Sequence, residues 1–114
     1  MLFLNSKHTY MPHLDNIQAK KLTEGILGKY VHGEKSTLGV VEIKMGSDMP
    51  AHSHPHEQIT MILEGELEMV IGEDRIMLTP GTIHVIPSNM VHAAIAHTDC
   101  KLIDIFSPTR EEYI

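Results

Sequence analysis

Three histidines, His52, His54 and His56, fall within five positions in a chain of 114 residues that holds nine histidines. Imidazoles two positions apart project from the same face of an extended strand. Neutral rings so placed can share one divalent cation. Pro55 then ends the ladder, as proline does at a strand terminus, and Gln58 opens the next apolar run. His92 follows more than thirty residues later, so only a closed sheet would bring it to the other two. Packed together without a cation, His52, His54 and His92 would be three polar rings in one small cavity, each needing partners. A metal ion satisfies all three. Gln58 has a plainer reading, since a neutral strand residue also serves at the edge of a core. His56 is read as an exposed turn residue, and His84 and His97 as hydrogen-bonded strand histidines. His8, His13 and His32 carry no signal.

A second candidate lies near the end of the chain, where Lys101 to Phe106 reads as a strand. Asp104 shares a face with Leu102 and Phe106, while Ile103 and Ile105 point the other way. An aspartate inside such a run is costly unless it is paired. Arg110 is the nearest arginine in sequence. The residues alone leave two readings open, a structural Asp104–Arg110 ion pair and a proton-transfer group in a site.

The elements that must position these groups are short. Runs of Val, Ile, Met and Leu at 37–45, 58–63, 67–71, 75–79, 82–86, 91–97 and 101–106 alternate with turns such as Glu64-Gly65-Glu66, Gly72-Glu73-Asp74, Pro80-Gly81 and Pro87-Ser88-Asn89. Such spacing predicts an all-β antiparallel sandwich or barrel. Ahead of these, residues 26–32 read as a strand and 17–21 as an edge piece. Beyond the last run, Ser107 as N-cap with Pro108 at the first position predicts one helical turn that returns Arg110 toward the strand end.

Composition narrows the function. A length of 114 residues gives one domain with a core of its own. The formal charge of −6 and an aromatic content of 4% argue against nucleic acid as partner. The single cysteine, Cys100, excludes an internal disulfide framework and a four-cysteine zinc site. With no basic leader and no run of about 20 apolar residues, the chain is expected to be cytoplasmic and not membrane-bound.

The spacing Gly46-x5-His52-x-His54-x3-Gln58-x6-Gly65 resembles the first cupin motif, with glutamine where that family usually carries glutamate. Gly81-x5-Pro87-x-Asn89-x2-His92 resembles the second, departing at Asn89, where glycine is usual, and at Ala96, where asparagine is frequent. Asparagine also adopts the left-handed turn, so the first of these departures costs little. The resemblance implies a small antiparallel β-barrel or jelly roll, a single domain over residues 1–114 with its motifs in 46–96 and a C-terminal strand and turn in 101–113.

The stretch His-Ser-His-Pro-His-Glu-Gln at 52–58, with Asp-Ile-Phe-Ser-Pro-Thr-Arg-Glu-Glu-Tyr at 104–113, resembles the small pectin-degradation cupins known as KdgF. That resemblance implies conversion of 4,5-unsaturated uronate monomers into linear ketonised sugars. It implies metal ligands at His52, His54, Gln58 and His92, and functional residues at Asp104, Phe106 and Arg110. The cofactor would be a divalent transition metal (Ni, Zn, Fe or Mn), the partner a small anionic sugar, and the assembly a homodimer. Met61, Met69, Met77 and Met90 would line the pocket or fill the core. A neutral amide at Gln58 leaves the metal site at about +2, a stronger Lewis acid than a carboxylate would give, which favours non-redox chemistry. The rival readings are another cupin enzyme, polyketide-cyclase-like or oxygen-using, and a non-catalytic sugar- or effector-binding module.

Overall fold

The computed structural model describes residues 10–114; His8 and the N-terminal apolar run lie outside them. Ten strands follow one another: β1 (Lys20–Thr23), β2 (Ile26–His32), β3 (Thr37–Ile43), β4 (Asp48–His52), β5 (Glu57–Glu64), β6 (Leu67–Ile71), β7 (Asp74–Leu78), β8 (Ile83–Ile86), β9 (His92–Ala96) and β10 (Cys100–Ser107). They form two antiparallel sheets, ordered β1-β2-β3-β10-β5-β8 and β4-β9-β6-β7. Ile26, Ile62 and Ile86 of the first sheet and Leu67 and Leu78 of the second meet in the core. Their strands alternate buried and outward residues, as half-buried antiparallel strands do. No helix among the described residues is long and apolar enough to cross a membrane.

Two features of this frame set the site. β10 lies between β3 and β5, which registers Asp104 against Gly39 on one side and Thr60 on the other. In the second sheet β4 pairs with β9 so that His52 stands opposite His92. Loop chemistry fixes both pairings. Gly65 joins β5 to β6 at φ +88°, and a Cβ there would fall 2.2 Å from the Asp99 carbonyl oxygen, so only glycine fits. Asn89, at φ 65°, takes the left-handed turn expected of it before β9.

The structure corrects several expectations. The strand expected to carry both His52 and His54 up to Pro55 is β4, and it ends at His52, while the edge piece at 17–21 is displaced to Lys20–Thr23. The Glu24-Gly25 turn, with Gly25 at φ 82°, sets where β1 can pair with β2. Ser107 does not cap a helical turn. It ends β10 opposite Glu57, and its hydroxyl donates to the Lys35 carbonyl. The turn forms later, as a 3-10 turn at Glu111–Tyr113.

Candidate metal centre

His52 and His54 do not share a strand face. His52 is the last residue of β4, whereas His54 lies in the connection to β5. The loop, rather than a strand's two-residue period, folds His54 back beside its neighbours. One ring nitrogen from each of His52, His54 and His92 lies within 4.8 Å of the others. Ring centroids are 4.3 Å apart for His52 and His92, and 5.0 Å for His54 and His92.

Backbone carbonyls set the tautomers. The Nδ1 atoms of His52, His54 and His92 lie 2.9, 3.0 and 2.9 Å from the carbonyl oxygens of Pro50, His56 and Met90. A carbonyl only accepts, so each Nδ1 carries the proton and each Nε2 keeps its lone pair. Burial lowers the His92 pKa to about 4 and lowers that of His54, so both rings are neutral at pH 7.

Gln58 begins the inward row of β5, buried with Thr60. Its amide nitrogen donates to Thr60 Oγ1 at 2.9 Å and to Asp104 Oδ1 at 3.1 Å. The amide oxygen is thereby turned to His54 Nε2, 3.1 Å away. Two lone pairs face each other there, a repulsive contact unless a cation lies beside both. His92 Nε2 is buried with no hydrogen-bond partner among the described residues. An orphaned ring nitrogen and two opposed lone pairs are what a metal would satisfy. The residues fit a divalent cation.

Asp104 stands behind Gln58, and its Oδ1 also accepts from Thr60 Oγ1 at 2.6 Å. Burial raises its carboxyl to about 6, against the two hydrogen bonds and the Arg110 charge. The Asp104–Arg110 ion pair is not formed. Arg110, 6% exposed, binds Glu112 Oε1 at 2.5 Å and donates to the Tyr113 hydroxyl at 3.2 Å. The 3-10 turn folds Glu112 back onto the guanidinium, while Asp104 Oδ1 already has two donors. Phe106 and Tyr113 face the same guanidinium, their ring centroids 4.7 and 4.4 Å from Cζ. His52, Gln58, His92, Asp104, Phe106 and Arg110 line one cavity that opens to solvent.

Other residues depart from expectation. His56 is buried, its Nε2 donating to the Thr109 carbonyl at 3.2 Å, so it ties the histidine loop to the C-terminal segment. His32 is also engaged, with Nδ1 at Thr37 Oγ1 and Nε2 at the Tyr113 carbonyl. His97 lies just beyond β9 rather than in a strand, and its Nε2 meets Glu68 on the surface, whereas His84 Nε2 has no partner among the described residues. Of the methionines, Met69 lines the cavity and Met61 is half-buried on β5. Met77 and Met90 are exposed, and Met49 is the unexpected lining residue. Thr60 could have been found from its position two residues after Gln58, on the same face. Tyr30 and Tyr113 had no local signal.

Two antiparallel sheets with a histidine cluster and an amide in the space between them define a cupin, and the cupin-domain profile matches residues 39–106. The chain belongs to the cupin family and, within it, groups with the KdgF proteins: it is 31% identical over 104 residues to the pectin degradation protein KdgF of Dickeya dadantii (strain 3937), a match covering 88% of this chain and 94% of that one. The structure of KdgF from Halomonas sp. superposes with a TM-score of 0.80 at 26% identity, covering 100% of this chain and 98% of that one. An RmlC-like cupin from Shewanella frigidimarina NCIMB 400 superposes with a TM-score of 0.87 at 22% identity, covering 94% and 97% of the two chains, and shares the fold.

Proposed function

We propose that this protein opens the ring of 4,5-unsaturated uronate monosaccharides, the monomers left by pectin and alginate lyases, and delivers linear keto sugars. The observation that carries this reading is the Gln58 amide, shared between the imidazole cluster and Asp104. The Asp104 carboxyl thus lies one side chain away from the imidazole cluster, and in this reading it transfers a proton beside a bound cation, an arrangement a simple binding module does not need. A divalent transition metal held by His52, His54, His92 and Gln58 would supply Lewis acidity toward the substrate's carboxylate and adjacent oxygen.

Asp104 is the acid–base group in this scheme. Oδ1 is held by Thr60 and Gln58, and Oδ2 makes no hydrogen bond among the described residues. A carboxyl of pKa about 6 is ionised at neutral pH yet returns its proton readily. It takes the proton of the anomeric hydroxyl; the C1–O5 bond breaks, C1 becomes the aldehyde, and the electron pair passes to O5 as an enolate. Protonation at C4 by the same carboxyl then gives the C5 ketone. The reaction is an isomerisation and consumes nothing. Arg110, whose Nη1 makes no hydrogen bond among the described residues, would hold the substrate carboxylate, and Phe106 walls the cavity against water.

The test is loss of the conjugated enol absorbance of an unsaturated uronate monomer, compared with its spontaneous decay. Asp104→Asn should retain fold and metal while turnover falls at least ~100-fold. A wild-type rate no faster than spontaneous decay sinks the reading.

The assembly we infer is a homodimer formed through the outer face of the first sheet. Register lines up Leu38, Ile105, Ile59 and Val85 in one row across four strands, and Val40, Ile103, Met61 and Ile83 in the next. Ile83, Val85, Ile105 and Leu38 are 62%, 49%, 42% and 41% exposed. The two rows form a continuous apolar face, as the centre of a protein–protein interface does. Neither row carries an acidic residue, which matters when two copies of formal charge −6 must meet. Glu42, Lys101 and Glu64 border the face with both signs of charge, as a self-pairing contact requires.

A further inference from the structure

Tyr30 lies on β2, two strands away from Asp104, and nothing in the proposed chemistry uses it. Its ring occupies space that two missing side chains leave open. A Cβ at Gly28 would fall 2.5 Å from the Tyr30 hydroxyl oxygen, and a Cβ at Gly39 would fall 2.6 Å from Tyr30 Cε1. Gly39 is the ladder partner of Tyr30 on one side and of Asp104 on the other. The ring therefore lies flat on the sheet, reaching across Gly39 into the cavity that Asp104 also lines. Any larger residue at position 28 or 39 would lift it away.

What the ring meets there is Tyr113. The two rings stack with centroids 4.3 Å apart and planes 24° from parallel. Tyr113 needs such backing, because its 3-10 turn has three residues and buries none of them, and so short a turn does not hold a side chain in place by itself. The other face of the arrangement is functional. Tyr113 stacks on the Arg110 guanidinium at 4.4 Å and accepts from its Nη2. His32, two residues after Tyr30 on the same strand, fixes the Tyr113 backbone through its carbonyl.

We propose that Tyr30, seated on Gly28 and Gly39, is a positioning residue for substrate binding: by backing Tyr113 it holds the Arg110 guanidinium in the cavity, ready for a carboxylate. The inference rests on the proposed reading of the site as one that binds a uronate. A loop-borne arginine is thus given the rigidity of a sheet, which is how a binding group keeps its geometry without ligand.

The experiment uses the full chain with its metal. KM and kcat are measured on the unsaturated uronate monomer, and binding of galacturonate, which cannot react, by titration calorimetry. Tyr30→Leu should raise KM and weaken galacturonate binding about 10-fold while kcat stays within about 3-fold. Tyr30→Phe keeps the ring and should recover most of the affinity. Gly39→Ala should reproduce the Tyr30→Leu defect although the tyrosine is still present. In a double-mutant cycle, Tyr30→Leu added to Arg110→Lys should cost little more than Arg110→Lys alone. If wild type binds galacturonate and Tyr30→Leu binds it equally well, this inference fails alone. Independent, additive losses in the cycle also overturn it, since Tyr30 would then not act through Arg110. If wild type neither binds nor turns over a uronate, the reading of the site falls and this inference with it.

Discussion

At the scale of residues, the site is organised by atoms that can only accept. Three carbonyls fix three imidazole protons, and one carboxylate oxygen fixes an amide, leaving four lone-pair atoms of His52, His54, His92 and Gln58 close together. Replacing both His52 and His92 by alanine should abolish stoichiometric metal, since the remaining pair cannot hold a first-row cation firmly. Elemental analysis finding full occupancy in that variant would refute the assignment. Gln58→Glu should keep the metal but slow turnover, because the added charge weakens the Lewis acid and places a second carboxylate beside Asp104. Protonation gives a further check on metal-free protein. Burial raises Asp104 from 3.8 to about 6, so its contribution to folding is present at low pH and lost as the pH rises from about 4 through 6. Burial lowers His92 from 6.5 to about 4, so its contribution is present above 6.5 and lost as the pH falls through 4. The two slopes oppose each other in wild type. Asp104→Asn leaves only the histidine slope: its Tm should fall more steeply than that of wild type on acidification, and at pH 7.5 it should be more stable by up to roughly 3 kcal/mol. Parallel Tm profiles for the two proteins would show that Asp104 is not held in an apolar setting.

At the scale of elements, the pairing of β10 with β3 and β5 places Asp104, and the pairing of β4 with β9 places two of the three histidines. Gly65 guards both sheets, since it joins a strand of one to a strand of the other with Asp99 packed against it. Gly65→Ala should therefore lower stability by about 2 kcal/mol or more, combining a left-handed backbone with a backbone clash. Denaturant titration at constant m-value would measure it, and a loss below ~0.5 kcal/mol would mean the turn relaxes freely. The C-terminal segment is a different kind of element. It is held by side chains rather than by a ladder, with His56 on the Thr109 carbonyl, Thr37 on the Arg110 amide and His32 on Tyr113.

At the scale of the whole molecule, the first sheet works on both faces. Its inner face carries Gln58, Thr60, Asp104 and Phe106, and its outer face carries the two apolar rows. Sedimentation of the full chain should give twice the monomer mass. Ile105→Lys, an exposed position, should weaken the dimer at least ~100-fold by leaving a charge in an apolar contact. Ile95→Lys, equally exposed on the other sheet, should leave the mass unchanged. A wild type that stays monomeric at high concentration, or a dimer broken by Ile95→Lys alone, would remove this face from the assembly.

The sequence by itself determined the strand-and-turn order, because short apolar runs within residues 58–106 are separated by Gly, Pro and Asn at the reversals. It also determined which histidines belong together, through two spacings that share one fold. It could not show that His54 leaves the strand, since Pro55 marks a break without saying where the chain goes next. Nor could it choose the partner of Arg110. Asp104 and Glu112 are both close in sequence, and the choice fell to a 3-10 turn whose position depends on Ser107 staying in the β10 ladder. The burial of His56, the roles of Tyr30 and Tyr113, and the adjacency of Gly39 to Asp104 all depend on strands far apart in the chain. Local periodicity reports which way a side chain faces. Only the closure of the two sheets decides what it faces.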